Sequence, residues 1–353
     1  MKTFCFFGYN VFRKKSLNSL RHMMRYRLAL LALIFVLTAG LQAEEWTLRQ
    51  TDTGYEVRIG NQLFAGYMTD YEGAPIVYPI VGPTGKYMTR NFPMKRDYEP
   101  IQADHPHQRS LWFAHGSING LDFWNSFARP LATRYKIAHK RFVKAECDGQ
   151  TAVLVAENDW VGNEQLLCRD LRILRFSCAA GIRFIDFDIT TTAEQEKVVF
   201  GDTKEGTFGI RVPEVLAVDT EKGGRIVNAE GAVNGDAWGK RSAWVHYHGL
   251  IDGEKVGIAV LNHPSSFRFP TYWHVRTYGL FAANPFGVHE FERLDNRQSG
   301  ELTLAKGESF TVRYRVLLYS GDADEARIAD LFKEYAEMPM PLRFAPLQVE
   351  FNP

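Results

Sequence analysis

The side chains that could move protons or bind a metal are concentrated in residues 104–124, which run DHPHQRSLWFAHGSINGLDFW. This stretch holds three of the ten histidines of the chain. Pro106 favours an extended backbone at His105, and alternation along an extended segment would place His105 and His107 on the same side. Imidazole titrates near neutral pH and can donate or accept a proton at a substrate oxygen. The stretch is therefore the first candidate for an active site.

Five residues are predicted to be catalytic: His105, His107, His115, Arg109 and Glu205. Glu205, or in its place Glu290, would be the second proton carrier. The planar guanidinium of Arg109 would bind an anionic or hydroxyl-rich group, although a structural ion pair with Asp122 is an equally good interpretation. Asp104 would orient a histidine by accepting its second N–H group.

A second His-x-His pattern occurs at His246 and His248, inside a segment with the alternation of a strand, which predicts both imidazoles on one face. Two neutral ring nitrogens at this spacing are a common way to bind a metal. If folding joined this pair to His105 and His107, the four side chains could hold a divalent metal. Histidines beside aromatic rings in a sugar-binding cleft would give the same pattern, so the cofactor is left open.

Aromatic side chains surround the histidine stretch and recur in residues 262–287, whose three prolines predict a long loop. Trp and Tyr rings combine a flat apolar face with a polar tip, which suits stacking on sugar rings. Six residues are predicted to bind substrate: Trp112, Trp124, Asp122, His263, Trp273 and His274. Packing in the core is the alternative for roughly half of the large aromatics.

Short strands dominate the pattern from residue 45 onward. They are predicted at residues 46–50, 55–59, 62–67, 110–115, 133–146, 151–158, 165–177, 183–192, 206–212, 243–251, 256–262, 300–305 and 309–319. Residues 75–85, rich in Pro and Gly, are predicted to form an edge strand, and only residues 324–337 have helical spacing. The sequence therefore predicts an all-β fold, a large two-sheet antiparallel β-sandwich with one C-terminal helix, as a single domain over residues 44–353.

Residues 1–43 have the pattern of a secretory signal peptide, with basic residues, an apolar run at 28–37 and small residues before Glu44. Met23 or Met24 would serve as the start, because such a signal needs no longer extension. The apolar run is too short for a comfortable membrane span. The rest of the chain has 35 basic and 41 acidic groups, a net charge of −6. We therefore expect a periplasmic or secreted protein that binds no nucleic acid and, after cleavage, no membrane.

Motifs for several other chemistries are missing from the sequence. It contains no GxSxG motif, P-loop or dinucleotide fingerprint, so neither a serine hydrolase nor a nucleotide cofactor is predicted. Three cysteines follow the signal segment: Cys147, Cys168 and Cys178. This odd number permits at most one internal disulfide, and three buried thiols packed as small apolar groups are an alternative.

Residues 89–124, TRNFPMKRDYEPIQADHPHQRSLWFAHGSINGLDFW, resemble an exported bacterial family of unknown function labelled the PmoA family. The resemblance also includes residues 206–211 and 262–287. Members of this family are similar in architecture to the galactose-mutarotase-like supersandwich, which implies two large sheets and, by analogy, sugar chemistry. The resemblance carries over no catalytic residue.

The leading hypothesis is an exported carbohydrate-active enzyme that uses histidine and carboxylate acid–base chemistry in an aromatic cleft. It would be an epimerase, a lyase or a glycoside-cleaving enzyme, with a small molecule or an oligosaccharide as substrate. The alternatives are a histidine-rich, metal-dependent oxygenase or hydrolase, and a non-catalytic glycan-binding protein. The sequence leaves the oligomeric state open.

Overall fold

Alternating apolar and polar residues produce 18 strands, numbered here in chain order, in the part of the chain that the structure describes. The structure, a computed structural model, describes residues 45–95, 104–126 and 135–339. The predicted signal peptide, residues 1–43, lies outside the described residues.

The first sheet has eight strands. They are β1 Trp46–Thr51, β2 Gly54–Ile59, β3 Gln62–Met68, β4 Ile76–Ile80, β5 Leu111–His115, β11 Gly206–Arg211, β15 Tyr272–Val275 and β16 Leu280–Asn284. Their order across the sheet is β1-β2-β3-β4-β5-β11-β16-β15, and neighbours are antiparallel. Every residue of β5, β11 and β16 is buried, so these three adjacent strands are covered on both faces of the sheet.

The second sheet also has eight antiparallel strands. They are β6 Lys136–Cys147, β7 Ala152–Gly162, β8 Gln165–Ala179, β9 Ile182–Ala193, β12 Arg225–Asn228, β13 Trp244–Ile251, β14 Glu254–Asn262 and β18 Ser309–Ser320. Their order is β12-β13-β14-β18-β9-β8-β7-β6. The remaining strands, β10 Lys197–Phe200 and β17 Leu302–Ala305, pair with each other.

Aromatic side chains from the two sheets meet in one apolar core. Phe208 of β11 stacks on Tyr314 of β18, with ring centroids 4.7 Å apart. Phe113 of β5 meets Trp160 of β7 edge to face at 5.8 Å. Fully burying one such side chain contributes about 1.5–3 kcal/mol, and its ring contact adds about 0.5–1.5 kcal/mol. The predicted two-sheet, all-β sandwich is confirmed.

The long loop predicted over residues 262–287 is wrong, because this segment contains the hairpin of β15 and β16. These strands have only four and five residues, and the three prolines of the segment lie outside them. The edge strand predicted at residues 75–85 is also wrong, since β4 lies between β3 and β5. Pro79, which has no N–H group, is accommodated where the β3–β4 register shifts between Ala65 and Tyr67.

Two α-helices accompany the sheets in the described part of the chain: α1 Val288–Glu292 and α2 Ile328–Ala336. Helix α1 was not predicted, because it is barely more than one turn long. The predicted helix at 324–337 is shorter than expected, since turns precede Ile328 and Arg327 has a φ of 49°. Tyr335 of α2 packs on the second sheet beside Leu317. Among the described residues, no helix has the length and hydrophobicity needed to cross a membrane.

The thiols differ in burial. Cys168 is buried, Cys147 is half-buried and Cys178 is exposed. The interpretation of three buried apolar thiols therefore applies only to Cys168.

Candidate active site

One face of the first sheet is turned away from the second sheet, and we call it the site face. Its central row consists of Trp112, Gly209, Ala282 and His274, which are paired across four adjacent strands. The neighbouring row, which includes Phe208, points towards the second sheet. A Cβ atom on Gly209 would lie 2.7 Å from the ring of Trp112 and 2.8 Å from that of Trp124. The two indoles therefore cover the backbone of β11 at a position that only glycine fits.

The loop before β5, residues 104–110, lies at one end of the site face and is called the histidine loop. The buried Arg90 guanidinium holds it, donating to the Asp104 carboxylate at 2.6 Å and to the carbonyl oxygens of Asp104, His105 and Gln108. Arg211, at the end of β11, donates to the same carboxylate at 3.0 Å. These charge-assisted hydrogen bonds fix a loop that has no regular secondary structure.

His105 and His107 are neighbours, with ring centroids 5.6 Å apart. The extended backbone predicted for them is wrong, because His105 has a φ of 45° and the loop turns there. Asp104 orients His105 as expected, with 2.7 Å between Oδ2 and Nδ1. The His105 ring also stacks on Tyr278, at 4.9 Å and an interplanar angle of 7°.

His107 is the more strongly perturbed of the two imidazoles. Burial lowers its pKa to about 4, and the nearby charges of His105 and Arg109 act in the same direction. Within the described part of the chain, its ring makes no hydrogen bond. At neutral pH His107 is therefore a neutral imidazole whose nitrogen lone pair can accept a proton.

The opposite end of β11 carries Glu205, in residues 201–206, which we call the acid segment. The fully buried Asp202 carboxylate accepts backbone N–H groups of His289 at 3.0 Å and Gly300 at 2.6 Å. Glu290 of α1 accepts hydrogen bonds from both the backbone and the side chain of Lys204. The acid segment is thus fixed from several parts of the chain, as a catalytic carboxyl group requires.

Two predicted site histidines hold this segment rather than face a substrate. His115 Nε2 donates to the Gly201 carbonyl at 2.9 Å, and His274 Nδ1 donates to the Lys204 carbonyl at 2.8 Å. Burial lowers the pKa of each to about 4, so both rings are neutral donors at physiological pH. The prediction that His115 lines a cleft is wrong, because its side chain is fully buried against Phe200 and Phe286.

Glu205 is placed where its carboxyl group resists ionisation. Burial raises its pKa; the ion pair with Lys204 at 3.4 Å opposes this shift, and the charges of Glu290 and Asp122 add to it. The side chain is nevertheless 29% exposed. Asp122 itself accepts hydrogen bonds from the backbone and side-chain amides of Asn125, each at 2.9 Å. Glu205 therefore retains its proton to higher pH than an ordinary glutamate and can donate it.

Tyr278 packs against the histidine loop and Arg211. Its ring lies 4.6 Å from the guanidinium carbon of Arg211, and its hydroxyl accepts a hydrogen bond from Gln108 at 3.3 Å. Burial raises its pKa, the charges of Arg211 and Arg276 oppose the rise, and the charge of Glu205 adds to it. Tyr278 is thus in ring contact with His105 and within electrostatic range of Glu205.

The three predicted substrate-binding tryptophans are buried. Trp112, Trp124 and Trp273 are each at most 1% exposed, and the Trp273 indole donates to the Ser242 carbonyl at 2.9 Å. Stacking on a sugar requires an accessible ring face, so their assignment to substrate is wrong. Trp273 packs between the sheets against Phe281, whereas Trp112 and Trp124 pack on each other over β11.

Two further predicted site residues, Arg109 and His263, bind other parts of the protein. Arg109 is buried and donates to the Tyr71 carbonyl at 2.5 Å, which anchors the histidine loop to the segment after β3. His263 lies at the second sheet, where its Nε2 is 3.1 Å from the Met338 carbonyl and its Nδ1 is 3.1 Å from Arg313. Neither side chain is available to a ligand on the site face.

The two His-x-His pairs do not converge. His246 and His248 share a face of β13 as predicted, with rings stacked at 4.9 Å, but β13 belongs to the second sheet. Across residues 45–95, 104–126 and 135–339, no three His, Cys, Asp or Glu side chains are close enough to bind one metal ion. The donor geometry therefore does not fit a metal shell built from His105, His107, His246 and His248.

Three groups on the site face are not among the residues predicted to be catalytic or to bind substrate: Arg211, Arg276 and Tyr278. Arg276 and Tyr278 lie in the turn between β15 and β16. A short Arg-Thr-Tyr-Gly turn between alternating apolar residues is the signal that would have identified them. The prediction of one long loop obscured this signal.

Comparison with protein families gives one match over most of the chain. Residues 54–333 match the family described as Family of unknown function (DUF6807), and the chain belongs to this family. The expected membership of a family of unknown function is confirmed, whereas the PmoA label stays a prediction. No curated protein is significantly similar in sequence.

Solved structures give distant likenesses. A polysaccharide lyase has 14% identity and a TM-score of 0.24, covering 52% of this chain and 24% of the lyase. The chain thus spans about a quarter of that enzyme's length. A galactose mutarotase related enzyme from Lactobacillus acidophilus has 9% identity and a TM-score of 0.28, covering 79% of this chain and 96% of that protein.

Proposed function

We propose that this protein is an exported carbohydrate-active enzyme that works by general acid–base catalysis on the site face. One observation supports this most strongly. In segments that flank β11 at its two ends, the pKa of a carboxyl group, Glu205, is raised while that of an imidazole, His107, is lowered to about 4. A raised carboxyl pKa favours the protonated acid, and a lowered imidazole pKa favours the unprotonated base. Such a pair is typical of the general acid and general base of one active site.

In this proposal Glu205 donates its proton to a substrate oxygen as the bond to that oxygen breaks. His107 accepts a proton from a hydroxyl or carbon of the substrate or, in hydrolysis, from the attacking water. Both groups then exchange protons with solvent, so that the imidazolium loses its proton and Glu205 regains one. Asp104 orients His105 next to this base, and Tyr278 stacks on the His105 ring. Epimerisation, elimination and hydrolysis all require one proton donor and one proton acceptor. The reaction is therefore proposed only as acid–base chemistry on a sugar or oligosaccharide.

The proposal includes location outside the cytoplasm, on the strength of the signal-peptide pattern at residues 1–43. Cell fractionation, with the mass of the mature N-terminus, tests this part separately. Recovery of an uncleaved cytoplasmic chain would contradict it.

The test of activity is turnover of a panel of neutral and acidic oligosaccharides by the full chain, followed by NMR. Glu205→Gln should lower turnover by about 10²–10⁴-fold, because the amide keeps the shape but has no acidic proton. The matched control is Glu254→Gln, at an exposed position of β14 in the second sheet, which should leave turnover unchanged. Binding without any turnover would contradict the proposal and favour the glycan-binding alternative.

A further inference from the structure

Arg276 differs from Arg90 and Arg211 in that no acidic or hydrogen-bonding side chain of the described residues binds its guanidinium. Arg211 binds Asp104 and Gln108, and Arg90 also binds Asp104. Arg276 is exposed, and within the described residues its guanidinium makes neither a hydrogen bond nor an ion pair. A cation left unpaired beside a candidate active site is available to an anionic ligand.

Two aromatic rings flank this guanidinium. Its central carbon lies 5.9 Å from the ring centroid of Trp238 and 5.8 Å from that of Tyr278. Such cation–π contacts restrict the side chain while leaving its N–H groups unused. Trp238 is half-buried, and its indole N–H has no hydrogen-bond partner in the described part of the chain. The indole nitrogen itself is buried from solvent, so the donors available to a ligand are the N–H groups of the exposed Arg276 guanidinium, beside the two rings.

The position of Arg276 ties it to the acid segment. Its charge acts on both His274 and Tyr278. His274 binds the Lys204 carbonyl, next to Glu205. Arg276 is thus separated from the acid segment by the single side chain of His274.

We infer that the substrate is an acidic sugar, whose carboxylate or sulfate group binds the Arg276 guanidinium between Trp238 and Tyr278. This inference rests on the proposed function for the location of the reaction and adds the class of substrate. The planar fork of arginine matches the oxygens of both anions, and the adjoining rings suit the apolar face of a pyranose. With a net charge of −6 beyond residue 43, attraction of anions to the protein as a whole is not expected.

The experiment compares matched pairs of oligosaccharides. Oligogalacturonates, alginate oligosaccharides and glucuronate-containing oligosaccharides are each paired with their carboxyl-reduced product, and sulfated oligosaccharides with their desulfated product. Affinity for the full chain is measured by calorimetry at low and moderate salt. At least one acidic member should bind 10-fold or more tightly than its neutral counterpart, on the order expected for charge-assisted hydrogen bonds. Whether the carboxylate or the sulfate pair shows the difference identifies the anion.

Arg276→Gln should remove this preference, and Arg276→Lys should restore only part of it because ammonium lacks the fork. Arg297→Gln is the control, since it removes the same charge from an exposed loop. Equal binding of both members of every pair, no binding by any member, or equal losses in Arg276→Gln and Arg297→Gln would overturn the inference.

Failure of this inference can be distinguished from failure of the proposed function. Glu205-dependent turnover of neutral sugars alone would leave the function standing and remove the acidic substrate. Arg276-dependent binding of an acidic sugar without turnover would support the acidic ligand and contradict the proposed enzymatic function.

Discussion

Each sheet carries a His-x-His pair on the face turned away from the other sheet, yet the two pairs have different surroundings. His246 is buried, 2.8 Å from the Tyr319 hydroxyl and stacked on His248. His107 is half-buried, and its ring makes no hydrogen bond within the described residues. The same sequence pattern therefore produces a packed pair on the second sheet and an accessible base on the first.

The arginines show the same difference. On the second sheet, Arg313 binds Asp188 at 2.8 Å and Arg315 binds Asp186 at 2.5 Å, next to α2. On the site face, Arg276 has only ring contacts. A functional face is thus recognised by polar groups whose partners the protein does not supply, whereas the residue types are alike on both sheets.

The largest effect should separate the two histidine pairs. His107→Ala should lower kcat/KM by about 10²–10⁴-fold, because it removes the proposed base, with little change in stability. His246→Ala should leave kcat/KM unchanged and lower the free energy of unfolding by about 1–3 kcal/mol, because the Tyr319 hydroxyl loses its buried partner. Steady-state kinetics and urea denaturation of both variants measure the contrast. Equal losses of activity in the two variants would remove the distinction between the sheets.

The second effect separates the arginines. Arg313→Met should reduce the free energy of unfolding, towards the lower end of about 3–5 kcal/mol, because Asp188 loses one buried partner but keeps Arg175 at 2.7 Å. Arg276→Met should change it by less than about 1 kcal/mol, since only exposed ring contacts are lost. Urea unfolding tests both free-energy changes through the shift of the midpoint, provided that the dependence of the unfolding free energy on urea concentration is unchanged. A larger loss in Arg276→Met would show that the turn is structural.

The smallest expected effect is the pH dependence of kcat/KM, about tenfold per pH unit on each side of an optimum. His107 must be neutral to act as a base, so activity falls as pH decreases below about 4. Glu205 must be protonated to act as an acid, so activity falls as pH rises through its raised pKa. Glu205→Gln should abolish the upper limb and keep the lower one. Loss of the lower limb instead would reverse the assigned roles.

Much of the fold could be predicted because strand alternation is a local property. The hairpin of β8 and β9 was expected at 165–177 and 183–192 and spans Gln165–Ala179 and Ile182–Ala193. The strands β15 and β16 were missed because four or five residues give too few alternations to outweigh nearby prolines. Likewise, residues 324–327 have helical spacing but form turns.

The site was only partly predictable, since residue type does not determine exposure. The prediction named both His107 and Glu205, but it also named Trp124 and Trp273, which are fully buried. A tryptophan in the sequence is equally consistent with a sugar-binding cleft and with a buried core. Only the packed structure distinguishes the two. Arg276 was missed because a charged residue in a turn is ordinary. That it lacks an acidic partner within the described residues becomes visible only in the folded structure.

The separation of the two ends of the site face has a consequence for engineering. The acid segment is tied to α1, β5, β15 and β16 by hydrogen bonds, so an insertion there would disturb several elements together. The turn carrying Arg276 has four residues, 276–279, and its carbonyl groups also accept hydrogen bonds from Val212, Asp219 and Tyr247. The backbone of this turn is therefore fixed by its surroundings as well, whereas the Arg276 side chain makes only ring contacts within the described residues. A substitution of that one side chain can change the charge presented at the turn without disturbing the backbone, and this defines a single position at which ligand preference can be engineered.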